Sequence, residues 1–217
     1  MRPPRPRASR APGGFALRPT DRTPLNRHVL PEFTERTSYG TRALDPYSRL
    51  LEGRIVFLGT PLDDTAAADL AAQFLHLEYA APDQDISLYL NCPGGDFTAL
   101  TAVHYTLRHL SCDVATYCLG QAVAVGAVLL AAGTPGKRAA LPGARIVLRQ
   151  PELAEVTRGR PSDLAVLAGE MARERRTTER LLAAATGRTE DEVHGDMERE
   201  RVLTAAEAVA YGIIDAL

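Results

Sequence analysis

An α/β fold with mostly parallel strands is predicted by two observations. From about Tyr47 onward, short apolar runs rich in β-branched residues alternate with segments of helical length. Two of those runs enter the next helix through tight turns, "NCPGGD" (Asn91–Asp96) and "GQAVAVGA" (Gly120–Ala127). Repeated strand–helix units of this kind pair their strands in parallel.

The elements follow in order. "RIVFLG" (Arg54–Gly59) reads as a buried strand. The segment 61–80, closing on "AAADLAAQFLHLEYA", is the helix after it, with Asp63 and Asp64 at its positive N-terminal end. "DISLYLN" (Asp85–Asn91) is the next strand. A helix from about Phe97 to Leu110 follows the glycine turn, and "CDVATYCLG" is a third strand, with Cys112 and Cys118 as core residues. The apolar run Val123–Ala132 is a buried helix, and "ARIVLRQ" (Ala144–Gln150) is a further strand. A long helix is predicted over 161–186, since Pro161 suits a first turn and Gly187 an end. Thr189 with Glu192, and Thr204 with Glu207, have capping-box spacing for two short helices, the second closed by Gly212.

The chain has 217 residues, enough for one sizeable core. Residues 1–27 hold seven Arg, one Asp and six of the fifteen Pro, with no apolar periodicity, and are expected to form a disordered basic tail or prosegment. The remaining chain keeps 18 of the 25 basic and 26 of the 27 acidic residues, a net of −8. Such a body has little attraction for phosphate backbones, so no nucleic-acid partner is expected. The longest apolar run is too short for a bilayer, so no membrane partner is expected either. Cys92, Cys112 and Cys118 are odd in number, fit no zinc spacing and suit a reducing cytoplasm.

Paired glycines in "NCPGGD" let the backbone approach another chain closely and turn N–H groups outward. The first N–H groups of the helix opened by "GQAVAVGA" have no intrahelical partner. Together the two turns could form an oxyanion hole. Yet no Ser, Thr, Cys, Lys, Asp or Glu stands between Gly120 and Gly133 to use it.

At this point the text resembles the proteolytic subunit family of the Clp ATP-dependent protease, above all its actinobacterial members. The resembling stretches are "LPEFTERTSYG" (Leu30–Gly40), "DPYSRLLEGRIVFLGTPLDD" (Asp45–Asp64), "DISLYLNCPGGDFTALTAV" (Asp85–Val103), "LGQAVAVGAVLLAAGTPGKRAALPGARIVLRQP" (Leu119–Pro151) and "TAAEAVAYGIIDAL" (Thr204–Leu217). They cover about residues 28–217. The resemblance implies a crotonase-like α/β head of stacked ββα units with a protruding helical handle, here about 161–186. It implies heptameric rings that pair through the handles, an AAA+ Clp chaperone that delivers unfolded polypeptide substrates, a cytoplasmic location and no cofactor or metal. Gly95 and Val125 match the family's oxyanion donors, and Glu198 and Arg199 in "MERER" resemble its ring-to-ring contact pair.

The family's Ser–His–Asp triad is another matter. Its elbow reads like "GQAASMGA", and the Ser position is Ala124 here; its "IHQP" becomes "LRQP", placing Arg149 at the His; its "ERD" becomes "ERE", placing Glu200 at the Asp. Ala124 has no heteroatom with which to form an acyl intermediate. A guanidinium cannot accept a proton as imidazole does. Arg149 and Glu200 are expected to form an ion pair instead, a contact that can be bidentate. The chain is thus expected to be a non-catalytic or very weakly active subunit that assembles with active paralogues. Two alternatives stay open. One is a working peptidase, in a mixed ring or through an unusual residue such as Cys92 with His104, His109 or His194 as base. The other is crotonase-like chemistry on an acyl thioester, with Glu152 or Glu155 as base.

Overall fold

The computed structural model describes residues 33–37, 40–152 and 158–217. The basic tail expected over 1–27 lies outside them, as does Glu155. The described residues open on an antiparallel hairpin, β1 (Phe33–Thr37) and β2 (Gly40–Leu44), in which Phe33 pairs with Leu44 and Thr37 with Gly40. A short helix, α1 (Pro46–Glu52), follows, capped by Asp45, which accepts from the N–H groups of Tyr47 and Ser48.

The body is a sheet of six strands among the described residues. In chain order these are β3 (Ile55–Leu58), β4 (Ile86–Cys92), β5 (Val114–Val123), β6 (Arg138–Ala140), β7 (Arg145–Leu148) and β8 (Arg201–Thr204). The spatial order is β3-β4-β5-β7-β8, with β6 also pairing β5. Every pairing is parallel except β7 with β8. The crossovers are α2 (Asp64–Ala80), α3 (Phe97–His109) and α4 (Val125–Ala131), and α5 (Pro161–Thr186), α6 (Glu190–Glu198) and α7 (Ala205–Tyr211) complete the chain.

Packing follows sequence period. In β4, Ile86, Leu88, Leu90 and Cys92 are buried while Ser87, Tyr89 and Asn91 are half-buried, the alternation of a strand with unlike faces. On the second face Tyr89 stacks on Tyr117 at 4.8 Å between ring centroids. The core face is covered by α2, through Ala67, Leu70, Phe74 and Leu77, and by α3, through Ala99, Leu100, Val103 and Leu107. All seven residues of α4 are buried, which explains its lack of polar side chains.

Two arginines stitch distant segments. Arg54, left-handed at φ 59, donates to the carbonyls of Leu77, Gln84 and Asp85, so it ties off the end of α2. Arg138 forks onto Asp215 through Nε (2.9 Å) and Nη2 (2.6 Å), which holds the C-terminal segment against β6.

The long helix spans the 161–186 predicted for it and ends at Gly187 in the left-handed region, φ 72. Its buried residues are Thr178, Glu179, Leu182 and Ala183, all toward the C-terminal end. Both short helices carry the full capping boxes. Cys112 departs from expectation: it sits in the bend before β5, half-buried, because Asp113 caps the strand's start with polar contacts to Thr134 and Lys137.

Candidate functional site

The end of β4 and the end of β5 face one cleft of about 540 Å³. The β4 side is the glycine turn. Leu62 donates its N–H to the Gly94 carbonyl (2.9 Å), and Asp96 donates to the Leu62 carbonyl (2.8 Å), so the turn is laced against the segment after β3. Gly94 and Gly95 lie at φ 134 and 154, where side chains are strained. A Cβ on Gly95 would stand 2.2 Å from the Leu62 carbonyl oxygen, so only glycine fits.

The β5 side is the elbow. Ala124 has φ 49 and ψ −107, a conformation that costs a non-glycine residue about 1–3 kcal/mol. Its N–H donates to the Val147 carbonyl (2.9 Å), and its own carbonyl accepts from Ala127 and Val128. That pattern opens α4 and leaves the Val125 N–H without an intrahelical acceptor. Gly126 packs where a Cβ would be 3.0 Å from that of Cys92, so elbow and glycine turn are wedged together.

Gly95, Ala124, Val125 and Arg149 thus line the same cleft, with Pro61, Phe97 and Glu174. Glu200 lies in the adjoining cavity, of about 420 Å³, which Arg149 also lines. The Arg149–Glu200 ion pair expected from the sequence is present only as a loose contact and not as a bidentate fork. Arg149 Nη1 is 3.9 Å from Glu200 Oε2, whereas Glu200 Oε1 accepts from Arg145 Nη2 at 3.1 Å. Arg145 competes for the carboxylate, and Glu152 draws Arg149 away, with Nη2 to Oε1 at 3.4 Å. Arg149 makes no hydrogen bond to a described residue, and its Nε is buried without an acceptor.

Among the described residues no thiol–imidazole pair is set up. Cys92 is fully buried and donates to the Gly94 carbonyl (3.1 Å), and burial pushes its thiol above the ordinary range. Burial pushes Cys118 up to about 11. His104 is buried on α3, and desolvation, aided by Arg108, pulls its imidazole below the usual value. None of His104, His109 and His194 lines the cleft. Of the two carboxylates considered as bases, Glu152 does line it. Glu174, from the charged run "EMARERRTTER", is not singled out by sequence; burial and the nearby Glu170 and Asp96 raise its carboxyl. Its place in the cleft depends on α5 packing against α4, which spacing along the helix cannot announce.

Glu198 and Arg199 stand exposed at the end of α6. Glu198 accepts from Arg175 Nη2 at 2.5 Å, which holds its carboxyl below the usual range. Arg175 also donates through Nε to Glu179 (2.8 Å), whose side chain is only 6% exposed and also meets His194 Nδ1 (2.9 Å).

A mostly parallel sheet whose two strand-to-helix turns open on one cleft frames this site. The Clp protease family is matched over residues 38–217. An ATP-dependent Clp protease proteolytic subunit-like protein of Streptomyces coelicolor is 62% identical over 192 residues, 88% of this chain and 91% of that one. ATP-dependent Clp protease proteolytic subunit 1 of Corynebacterium glutamicum is 51% identical over 192 residues, 88% and 92% of the two chains. A second Streptomyces coelicolor protein, ATP-dependent Clp protease proteolytic subunit 2, is 50% identical over 190 residues, 88% and 87%. The chain belongs to the Clp protease family, with its crotonase-like α/β fold.

Proposed function

We infer that this chain is a proteolytically silent subunit of a Clp-type ATP-dependent protease, contributing ring structure and a chaperone-docking surface rather than peptide cleavage. The observation that carries the reading is Ala124: the strained elbow is present, and the residue on it has nothing with which to attack. Arg149 and Glu200 occupy the positions of base and orienting acid. Arginine has no lone pair to take a proton, and Glu200 has no imidazole to orient. Loss of the nucleophile alone lowers serine-protease turnover by roughly 10⁶, and oxyanion donors at Gly95 and Val125 do not recover it. The active partners are paralogues in a shared heptameric double ring, with Glu198 and Arg199 at the ring contact, and the location is the cytoplasm. Residues 1–27 are a basic Pro-rich tail or prosegment ahead of the Clp-type domain.

Co-expression with active paralogues, followed by native mass spectrometry and a fluorophosphonate probe, tests the reading. The chain is expected in mixed rings whose label falls only on the partner. Labelling of this chain, or its failure to enter a ring with any paralogue, overturns the proposal.

A further inference from the structure

We propose that the cleft beside Ala124 binds the C-terminal α-carboxylate of a peptide, with Arg149 as its cation. The inference rests on the silent-subunit reading, since it needs a peptide that enters and is not cut.

Arg149 is a cation held only by loose ion pairs among the described residues. Its side chain is 32% exposed, yet it donates no hydrogen bond to any of them. Its carboxylate neighbours, Glu152 at 3.4 Å and Glu200 at 3.9 Å, are themselves well exposed, so each attraction is screened and weak. Its Nε is a buried donor without an acceptor, a rare condition in native proteins, while the Nη groups stay available to a ligand. A guanidinium fork fits a carboxylate in two parallel bonds.

The surroundings select the form in which that carboxylate arrives. Arg149 Nη2 is 3.9 Å from where a Cβ on Gly94 would lie, so the glycine turn leaves the approach to the guanidinium open. Asp96, Glu152 and Glu174 also line the cleft and repel a bare anion. A ligand that overcomes them must add contact with the apolar wall of Pro61, Phe97 and Val125, as a peptide does. The segment from Arg149 to Glu152 stands between this cleft and the adjoining cavity and lines both. A chain running along the cleft toward Arg149 therefore meets a cationic stop, which suits a terminal carboxylate better than a continuing amide.

The test uses the purified full-length chain and fluorescein-labelled hexapeptides, as the free acid and as the C-terminal amide, read by anisotropy. The free acid is expected to bind at least about tenfold more tightly, the factor from one charged hydrogen-bonding pair at its low end. Arg149→Gln should erase the difference, while Arg145→Gln, whose side chain lies outside the cleft, should keep it. Equal binding of acid and amide, or none, overturns the proposal. So does displacement of the free acid by acetate or phosphate at the peptide's own concentration, which would mark a bare-anion site. Mass spectrometry of the recovered peptide separates the two inferences: an intact but unselective peptide defeats only the carboxylate site, whereas a cleaved one overturns both.

Discussion

Ala124 holds a backbone that alanine rarely adopts, and no bond of its own side chain repays the strain. Glycine relieves that strain, about 1–3 kcal/mol, at an unfolded-state entropy cost of about 0.4–1 kcal/mol. Ala124→Gly is therefore expected to stabilise the chain by about 1 kcal/mol in urea unfolding; a loss of stability would mean that the elbow is relaxed. The same residue sets a second expectation. With the turn backbones already in place, the triple variant Ala124→Ser, Arg149→His, Glu200→Asp should cleave a short fluorogenic peptide above background. Ala124→Ser alone should not, because its hydroxyl has no proton acceptor. At this scale the position of each cleft residue on the two turns is legible from their motifs, because tight turns are written in glycine and in residue order. The direction of Arg149 is not. It depends on Arg145 and Glu152 competing over nearby carboxylate and guanidinium, a contest among exposed side chains that spacing does not encode.

Among the elements, α2, α3, α4 and α5 and the central strands declare themselves through long apolar patterns and caps. β8 and β6 do not. "RVLT" buries only Leu203, and "RAA" is three residues long, so neither has enough period to distinguish it from a loop. The hairpin and α1 are equally silent in the sequence, since their pairing and capping are polar and local. Arg54 shows how much one residue can organise at this level. Arg54→Ala removes three donors from the carbonyls that close α2 and is expected to cost about 1–3 kcal/mol in total. Amide exchange should quicken first near Leu77 and the 81–85 turn, and uniform acceleration across the sheet would contradict the assignment of a local clasp.

For the whole molecule, the chain end is held by charge. The Arg138 guanidinium, with the N–H groups of Arg138 and Gly136, keeps the Asp215 carboxyl below its ordinary value despite partial burial. A depressed carboxyl adds stability that is fully present above its unfolded value, near pH 4, and fades as pH falls through the lower folded one. Asp215→Asn should lower the melting temperature at pH 7 and flatten the acid-side decline of stability below about pH 4. An unchanged acid limb would assign that decline to other carboxylates.

The uneven burial of α5 bears on the proposed assembly. Residues 161–170, with Leu164 and Val166 in solvent and only Leu167 half-buried, touch little of the other described residues, and a short helical stretch without packing is marginal in water. The dissociated protein should consequently unwind from Pro161 inward while its sheet stays intact. On the proposed assembly, deuterium uptake over 161–170 should be fast in the isolated chain and slow when an active paralogue is added, and equal uptake with and without the paralogue would count against a role for this end of α5 in assembly.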